Sequence, residues 1–549
     1  MKKTGSTNIY KSMKEGAVVI ERSQLFNRDV KVYSDRPKTI SDMFESTVRE
    51  YPQKEALVMG EVRQTYKQVN DIAITVAKNL FYNYEIKKGD RIAVLAENCL
   101  EFVHVVLACA KLGAVIVPLN SRLSEKEITF MLNHSGSKIL ITENDYYQKL
   151  KSVHESKQLK STKVFFILDD FEADSSSTAK SYACLNANMG EKSFPKVEIE
   201  ETDPLFIMYT SGTTGTPKGA IGSHVGIIHS ALNYKYVMNT NDSIKTMIAI
   251  PLFHVTGLIG QLIHMFLVGG TSVILKRYRT EDYLKTMETE KISFLFNVPT
   301  IYVMLLSSPH FKKDAYNDVS IIAYGGAPMS YETIHQLRKE FPNSRLHNAY
   351  GATETSSPTT IMPIYYSDAK ANSVGLPVPV AEVKIVNEQG DQLQTNEVGE
   401  LLIKGPMVIE GYWDNLEANK NSFENGYWKS GDLAMIDDDG YVYIMDRKKD
   451  MINRGGEKIY SAEVENVLYG HPGVLEAAVV GIPDKLFGEQ VKAYIVKKSG
   501  ISVTAEDFQT YLSDKLADYK IPKEVEFLNE LPRNPGGKVL KTILSKLNQ

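Results

Sequence analysis

Apolar residues along this chain follow two periods, and the switch between them predicts the architecture. From Thr39 to Thr142, stretches with the 3.6-residue repeat of a helix, such as Ile40 to Tyr51 and Glu125 to Leu132, alternate with apolar runs at Arg91 to Ala96 and Ala114 to Leu119. Short unbroken runs fit strands covered on both faces, so the rhythm predicts an α/β sheet. A polar stretch from Asp170 to Glu191, including Ser175, Ser176 and Ser177, interrupts it. A further apolar run, Leu205 to Thr210, then leads into a segment rich in glycine and threonine. A second α/β stretch follows, with strands expected at Met247 to Ile250, Ser272 to Leu275, Ile292 to Phe296 and Ile321 to Tyr324 and a helix at Thr280 to Glu290.

Between Ala381 and Ile444 the pattern changes to short alternating strands, Glu382 to Val386 and Glu400 to Ile403, with turn signals at Gln389-Gly390 and Asp439-Gly440. This reads as a small antiparallel barrel. The charged cluster Asp446-Arg447-Lys448-Lys449-Asp450 precedes a helix-period segment, Ser461 to Leu468, and a strand pair, Ala477 to Val480 and Val491 to Val496, which read as a separate α+β domain. The expected fold is therefore α/β: a large N-terminal domain, residues 1–447, of two sheet subdomains plus a small barrel, then a C-terminal domain, residues 448–549. No repeat of fixed period occurs, so a solenoid or propeller is not supported.

A length of 549 residues is beyond what one core supports, in agreement with two or more domains. The 43% hydrophobic and 24% charged fractions are those of a soluble globular protein. A formal net charge of −4 gives no field that would draw in a nucleic-acid backbone. Cys99, Cys109 and Cys184 are odd in number and widely spaced, which argues against disulfides and a zinc site and for a reducing, cytoplasmic setting. Met1-Lys2-Lys3 is followed by Thr4, Gly5, Ser6, Thr7 and Asn8, with no apolar core of a signal peptide. The most apolar stretches, Phe102 to Leu119 and Leu258 to Leu275, are broken by polar residues and glycines and read as buried core rather than membrane spans.

Chemistry enters at Thr210-Ser211-Gly212-Thr213-Thr214-Gly215-Thr216-Pro217-Lys218-Gly219. Glycines let backbone N–H groups approach anionic oxygens, hydroxyls can donate to phosphate or bind Mg²⁺, and lysine supplies charge. The Walker pattern is not met, because Pro217 and Gly219 stand where it needs Gly and Ser or Thr. A segment of this composition is equally a plain surface turn. Its detailed order, however, resembles the signature of the adenylate-forming superfamily, which includes acyl-CoA synthetases, peptide-synthetase adenylation domains and beetle luciferases. Further motifs of that family occur in its order as far as Lys538.

The resemblance implies roles residue by residue. Thr210, Ser211, Gly212, Thr213, Thr214, Gly215 and Lys218 would hold the phosphates of ATP. His347-Asn348-Ala349-Tyr350-Gly351-Ala352-Thr353-Glu354 resembles the second nucleotide motif, which places Tyr350 along the adenine and Asn348, Gly351 and Thr353 around the nucleotide. It also makes Glu354, with Thr210, a ligand of Mg²⁺. Tyr427-Trp428-Lys429-Ser430-Gly431-Asp432 resembles the motif whose aspartate holds both ribose hydroxyls, with Arg447 nearby and Lys449 at an interdomain hinge. Pro532-Arg533-Asn534-Pro535-Gly536-Gly537-Lys538 resembles the loop of the catalytic lysine, so Lys538, Lys218 and Glu354 form the implied catalytic set. After domain rotation, Arg454-Gly455-Gly456-Glu457-Lys458 would line the path of coenzyme A, with Gly456 as the tunnel glycine.

Pro251-Leu252-Phe253-His254-Val255-Thr256-Gly257 resembles the motif whose histidine borders the acyl pocket, and Tyr324-Gly325-Gly326-Ala327-Pro328 its other wall, touching adenine as well. No carboxylate lies between Pro251 and Gly260 to meet a substrate ammonium, which disfavours amino acids. Leu258 stands where certain long-chain relatives carry a tryptophan gate. Fatty or other aliphatic acids are preferred over aromatic ones. The expected reaction makes an acyl-AMP from a carboxylic acid and ATP and transfers the acyl group to coenzyme A. Transfer to a carrier-protein phosphopantetheine, light emission and a catalytically silent nucleotide-binding relative are the alternatives. Peripheral membrane contact and a homodimer stay open.

Overall fold

The computed structural model describes residues 18–169, 178–210, 217–498, 500–533 and 538–547 of the chain. Among them, the apolar runs become the inner strands of two large sheets. The first has seven strands in the order Lys218–Ser223, Pro204–Thr210, Val115–Pro118, Arg91–Leu95, Ile139–Thr142, Val164–Ile167 and Ala179–Ser181, parallel except for its first pair. The second has nine: Leu376–Pro377, Ser357–Ile361, Arg345–Ala352, Ile321–Gly325, Phe294–Asn297, Lys245–Ile248, Thr271–Ile274, Glu55–Met59 and Val62–Thr65. Its middle is parallel and both ends are antiparallel.

Glu55–Met59 joins the second sheet beside Thr271–Ile274, although it precedes every strand of the first. The chain thus starts in one sheet, builds the other and returns, a crossing that apolar periodicity cannot reveal. Helices fill the space between the sheets. Leu100–Leu112 and His224–Met238 are buried nearly all round, and one continuous core runs from Ile92, Ile116 and Phe206 on the first sheet to Leu57, Ile248 and Ile274 on the second. Burial on every side explains why these helices lack a clear polar stripe.

The third sheet places Glu382–Val386, Gly399–Lys404 and Tyr427–Ile436 side by side, with Phe423–Glu424 and Val442–Arg447 along the far edge of the long strand. Antiparallel pairing was expected there, and Gly390 and Gly440, both left-handed at φ +89° and +85°, make the expected turns. Among the described residues no pair closes this sheet into the expected barrel. An N-terminal hairpin, Ile20–Leu25 with Arg28–Tyr33, packs Val30 and Val32 against Val225.

The C-terminal part has its own core around Ile452, Val464, Leu468, Val479, Val491 and Phe508. Val474–Asp484 pairs antiparallel with Gly488–Lys497, the expected strand pair, while Glu524–Phe527 runs parallel to the latter. The helix expected from Ser461 spans Ser461–Tyr469. This is the α+β organisation foreseen for the end of the chain.

Candidate active site

Thr210 stands opposite Lys218 in the antiparallel pair Pro204–Thr210 and Lys218–Ser223, so the glycine-threonine segment connects a hairpin whose two ends meet. Ser211, Gly212, Thr213, Thr214 and Gly215 lie outside the described residues. At the base of the hairpin the Thr210 hydroxyl donates to Glu354 Oε1 at 3.2 Å. Glu354 belongs to a short 3₁₀ turn, Thr353–Thr355, which directly follows the strand Arg345–Ala352. Its backbone carbonyl accepts from the Ile409 N–H at 2.9 Å.

Tyr412 completes this end of the site, and sequence reasoning missed it. Its hydroxyl donates to the same Glu354 oxygen at 3.1 Å, and the Trp428 indole N–H reaches that hydroxyl at 3.4 Å. The Lys218 ammonium lies 5.3 Å from the centre of the Tyr412 ring, within cation–π range. Asn419 holds Tyr412 by both backbone groups, accepting from its N–H at 2.6 Å and donating to its carbonyl at 3.1 Å. Burial lifts the phenol above its ordinary range and Glu354 lifts it further, so the hydroxyl keeps its proton and acts as a donor. A tyrosine in Gly411-Tyr412-Trp413 gives no local sign that its hydroxyl meets a carboxylate 58 residues away.

At the other end, the Tyr350 hydroxyl donates to Asp432 Oδ2 at 2.5 Å. Asp432 is buried and lies opposite Arg447 in the pairing of Tyr427–Ile436 with Val442–Arg447, and Arg447 Nε approaches Asp432 Oδ1 to 3.4 Å. The Ser430 hydroxyl accepts from the Asp432 N–H at 3.0 Å and donates to the Leu401 carbonyl at 2.7 Å, fixing the strand beneath the carboxylate. Burial and the Asp432 charge raise the Tyr350 phenol far above its usual range. The strand turns here because its register with Ser357–Ile361 shifts between Tyr350 and Gly351. A Cβ on Gly351 would lie 1.6 Å from the Ser357 carbonyl oxygen, so only glycine fits.

Gly326, Ala327 and Pro328 follow the strand Ile321–Gly325 and are exposed, with Gly326 left-handed at φ +80°. Asn348 donates its side-chain amide to the Ser373 carbonyl at 3.0 Å. His254 is half-buried just before the π-helical turn Thr256–Ile263, its N–H donating to the Pro251 carbonyl at 3.0 Å. Burial, with help from the charges of Lys538 and Arg122, lowers its imidazole to about 4, so it is neutral at pH 7. Leu258, expected at the pocket wall, is buried in the core with Leu252 and Ile259.

Lys538 reaches this cleft from the C-terminal part. Although it keeps solvent contact, the crowding of its ammonium and the like charge of Arg447 draw it below the ordinary lysine range, against the pull of Glu354 and Asp432. The structure therefore brings Thr210, Lys218, His254, Glu354, Asp432, Arg447 and Lys538 around one space. Lys449 is exposed and lies in the turn closed by the Asp450 and Met451 N–H groups on the Arg447 carbonyl. Gly456 is elsewhere, at the tip of the hairpin Ile452–Arg454 with Glu457–Ile459, left-handed at φ +97° and bonded to Asn453 within that hairpin.

Among the described residues no three His, Cys, Asp or Glu side chains gather as a metal cage. One carboxylate and one hydroxyl, both hard oxygen donors, fit a magnesium ion that arrives on a nucleotide and keeps phosphate and water as its other ligands.

Comparison with known proteins gives the class. Residues 44–413 match the AMP-binding enzyme family and residues 463–538 match the AMP-binding enzyme C-terminal domain, so the chain belongs to the adenylate-forming AMP-binding enzymes. Lys449 falls in the gap between the two matches. Within that class its relatives are acyl-CoA ligases. The chain is 34% identical to Long-chain-fatty-acid–CoA ligase FadD13 of Mycobacterium tuberculosis, over 88% of this chain and 93% of that protein. It is 33% identical to 2-succinylbenzoate–CoA ligase of Bacillus licheniformis, over 92% and 99%. Its fold matches o-succinylbenzoate CoA synthetase (MenE) from Bacillus subtilis in complex with the acyl-adenylate intermediate OSB-AMP. There the TM-score is 0.80 and the identity 30%, over 91% of this chain and 97% of that one.

Proposed function

We propose that this chain activates a carboxylic acid with ATP and transfers the acyl group to coenzyme A. In the first step a carboxylate oxygen attacks the α-phosphorus, the bond to the β-phosphate breaks, and pyrophosphate leaves the acyl-AMP. In the second, the thiol sulfur forms the new bond to the acyl carbon, AMP departs and the thiol proton is lost. The observation that carries this reading is that the Lys538 ammonium lies within the electrostatic reach of Glu354 and Asp432, while Thr210 ties Glu354 to the base of the phosphate hairpin.

Each group then has a task. Lys538 offsets the repulsion of two anions as carboxylate approaches phosphate and stabilises the charge that develops. Lys218 and the segment Ser211 to Gly215 would hold the phosphates of ATP. Asp432 accepts from the ribose hydroxyls beside Arg447, Tyr350 lies along the adenine, and Gly326, Ala327, Pro328, Asn348, Gly351 and Thr353 surround the nucleotide. Magnesium at Thr210 and Glu354 would neutralise phosphate charge. Neutral His254 offers the acid a hydrogen bond rather than a counter-charge. Rotation about Lys449 then withdraws Lys538 and brings Gly456 toward the thiol.

A fatty or otherwise aliphatic acid is the preferred substrate, supported by the uncharged His254 and the small exposed Gly326 and Ala327. Three free cysteines support a cytoplasmic setting, and no helix among the described residues is long and apolar enough to cross a membrane. The decisive measurement is pyrophosphate release across fatty, branched and aromatic acids, with coenzyme A, with a holo carrier protein, and with neither. Release with aliphatic acids and product formation with coenzyme A is expected. No release with any acid overturns the activity, and a carrier-protein preference overturns the acceptor.

A further inference from the structure

The helix Ser461–Tyr469 starts without a cap of its own, since Tyr460 in the cap position makes no side-chain bond to it. Asp446 supplies the cap from the end of the strand Val442–Arg447, on the other side of Lys449. Its Oδ2 accepts from the Ser461 N–H at 2.5 Å and from the Ser461 hydroxyl at 2.7 Å, while its Oδ1 accepts from the Arg447 N–H at 2.8 Å. Asp446 is 5% exposed and Ser461 fully buried, so neither has water as a substitute partner.

The chain of bonds continues toward the site. The Lys541 ammonium donates to the Ser461 hydroxyl at 2.6 Å and pairs with Glu465 at 2.7 Å, and Glu465 in turn accepts from the Val479 N–H at 2.8 Å. Lys541 lies three residues after Lys538. A single line of hydrogen bonds therefore runs from Asp446, one residue before Arg447, to the segment that carries Lys538.

We propose that Asp446 is a positioning residue that latches the C-terminal part in the arrangement that presents Lys538, by capping a helix across the hinge. This rests on the two-step reading above. Asp446 precedes Lys449 by three residues, so it lies within ~10 Å of the pivot. At up to that radius a turn moves a donor by at most ~5 Å for each ~30°, so a turn of ~90° breaks both Ser461 bonds unless the axis runs through the pair. The second step must therefore begin by uncapping this helix, and the latch sets the balance between the two arrangements.

The test compares Asp446→Ala and Asp446→Asn in the full chain, with adenylate formation followed by pyrophosphate release and thioester formation followed from synthetic acyl-AMP and coenzyme A. In Asp446→Ala the kcat of the first step should fall by about tenfold, the scale of a lost helix cap, with the KM for ATP unchanged. The thioester step should hold or accelerate, and Asp446→Asn, which keeps an acceptor, should recover most of the loss. Ser461→Ala keeps the backbone donor and should shift the same ratio by about threefold, which decides the matter if Asp446→Ala does not fold. Equal loss in both steps, or no change in either, overturns the latch. If Lys538→Ala fails to separate the two steps, the underlying reading falls instead.

Discussion

Tyr350 and Asp432 share a 2.5 Å hydrogen bond that joins the nine-stranded sheet to the antiparallel sheet. The bond orients the Asp432 carboxylate, the ribose acceptor of the proposed function, and holds the Tyr350 ring in place. Tyr350→Phe keeps the ring and removes the donor. The KM for ATP should rise roughly tenfold, the scale of one bond to a charged acceptor, with a smaller change in kcat. Steady-state kinetics check this, and an unchanged KM would show that the bond does not prepare the site.

Lys538→Ala should abolish adenylate formation and largely spare thioester formation from pre-made acyl-AMP. Its ammonium feels the charges of Glu354 and Asp432, and in the proposed function only the first step needs it there. Single-turnover assays of each half-reaction give the answer. Equal loss of both in a folded variant would refute the assignment.

Tyr412→Phe deletes one of the two hydroxyls on Glu354 Oε1 and leaves the ring beneath Lys218. With Glu354 as the proposed magnesium ligand, losing a partner of that ligand weakens affinity, so the magnesium concentration for half-maximal rate should rise roughly tenfold. The KM for the acid should not move. A magnesium titration at fixed ATP distinguishes this from general damage.

Buried histidines predict acid sensitivity above the carboxylate range. Burial lowers His229 and His264 to about 3 and His104, His224 and His347 to about 4, against about 6.5 in an unfolded chain. The unfolded state therefore binds more protons between these values, and the stability these residues contribute is whole above about pH 6.5 and lost as pH falls. Asp450 and Glu465, raised by burial, act in the opposite direction and offset part of the loss. The urea midpoint should drop from pH 7 to pH 5. A flat midpoint over that range would contradict neutral burial of the histidines.

Lys449→Pro fixes φ at the proposed pivot and should slow the thioester step more than adenylate formation. Stopped-flow traces of the two steps test it, and equal rates with wild type in the second step would move the hinge elsewhere.

Much of this was legible in the sequence because burial on both faces writes a strand as a plain apolar run: Arg91–Leu95, Thr271–Ile274 and Ile321–Gly325 lie where such runs fall. The motif residues Thr210, Glu354, Asp432 and Lys538, far apart in the sequence, lie around one space in the fold. What stayed hidden depends on distant partners. Glu55–Met59 gives no sign of which sheet will take it, and Tyr412 and Asp446 act through residues that only folding brings near. Alternation between Ala381 and Ile444 specified the antiparallel neighbours that the third sheet has, and carries no information on whether the ends of a sheet meet.

The N-terminal hairpin holds a late part of the chain: Arg28 donates to the carbonyls of Ile409 and Glu410 at 2.9 and 3.0 Å, and Ile409 supports Glu354. During synthesis Arg28 leaves the ribosome some 380 residues before those acceptors exist. At translation speeds of 5–20 residues per second the wait is roughly 20–80 s. For about half of that time Val30 and Val32 also lack Val225, and the newborn chain is open to chaperones and proteases until residues 409–410 have emerged.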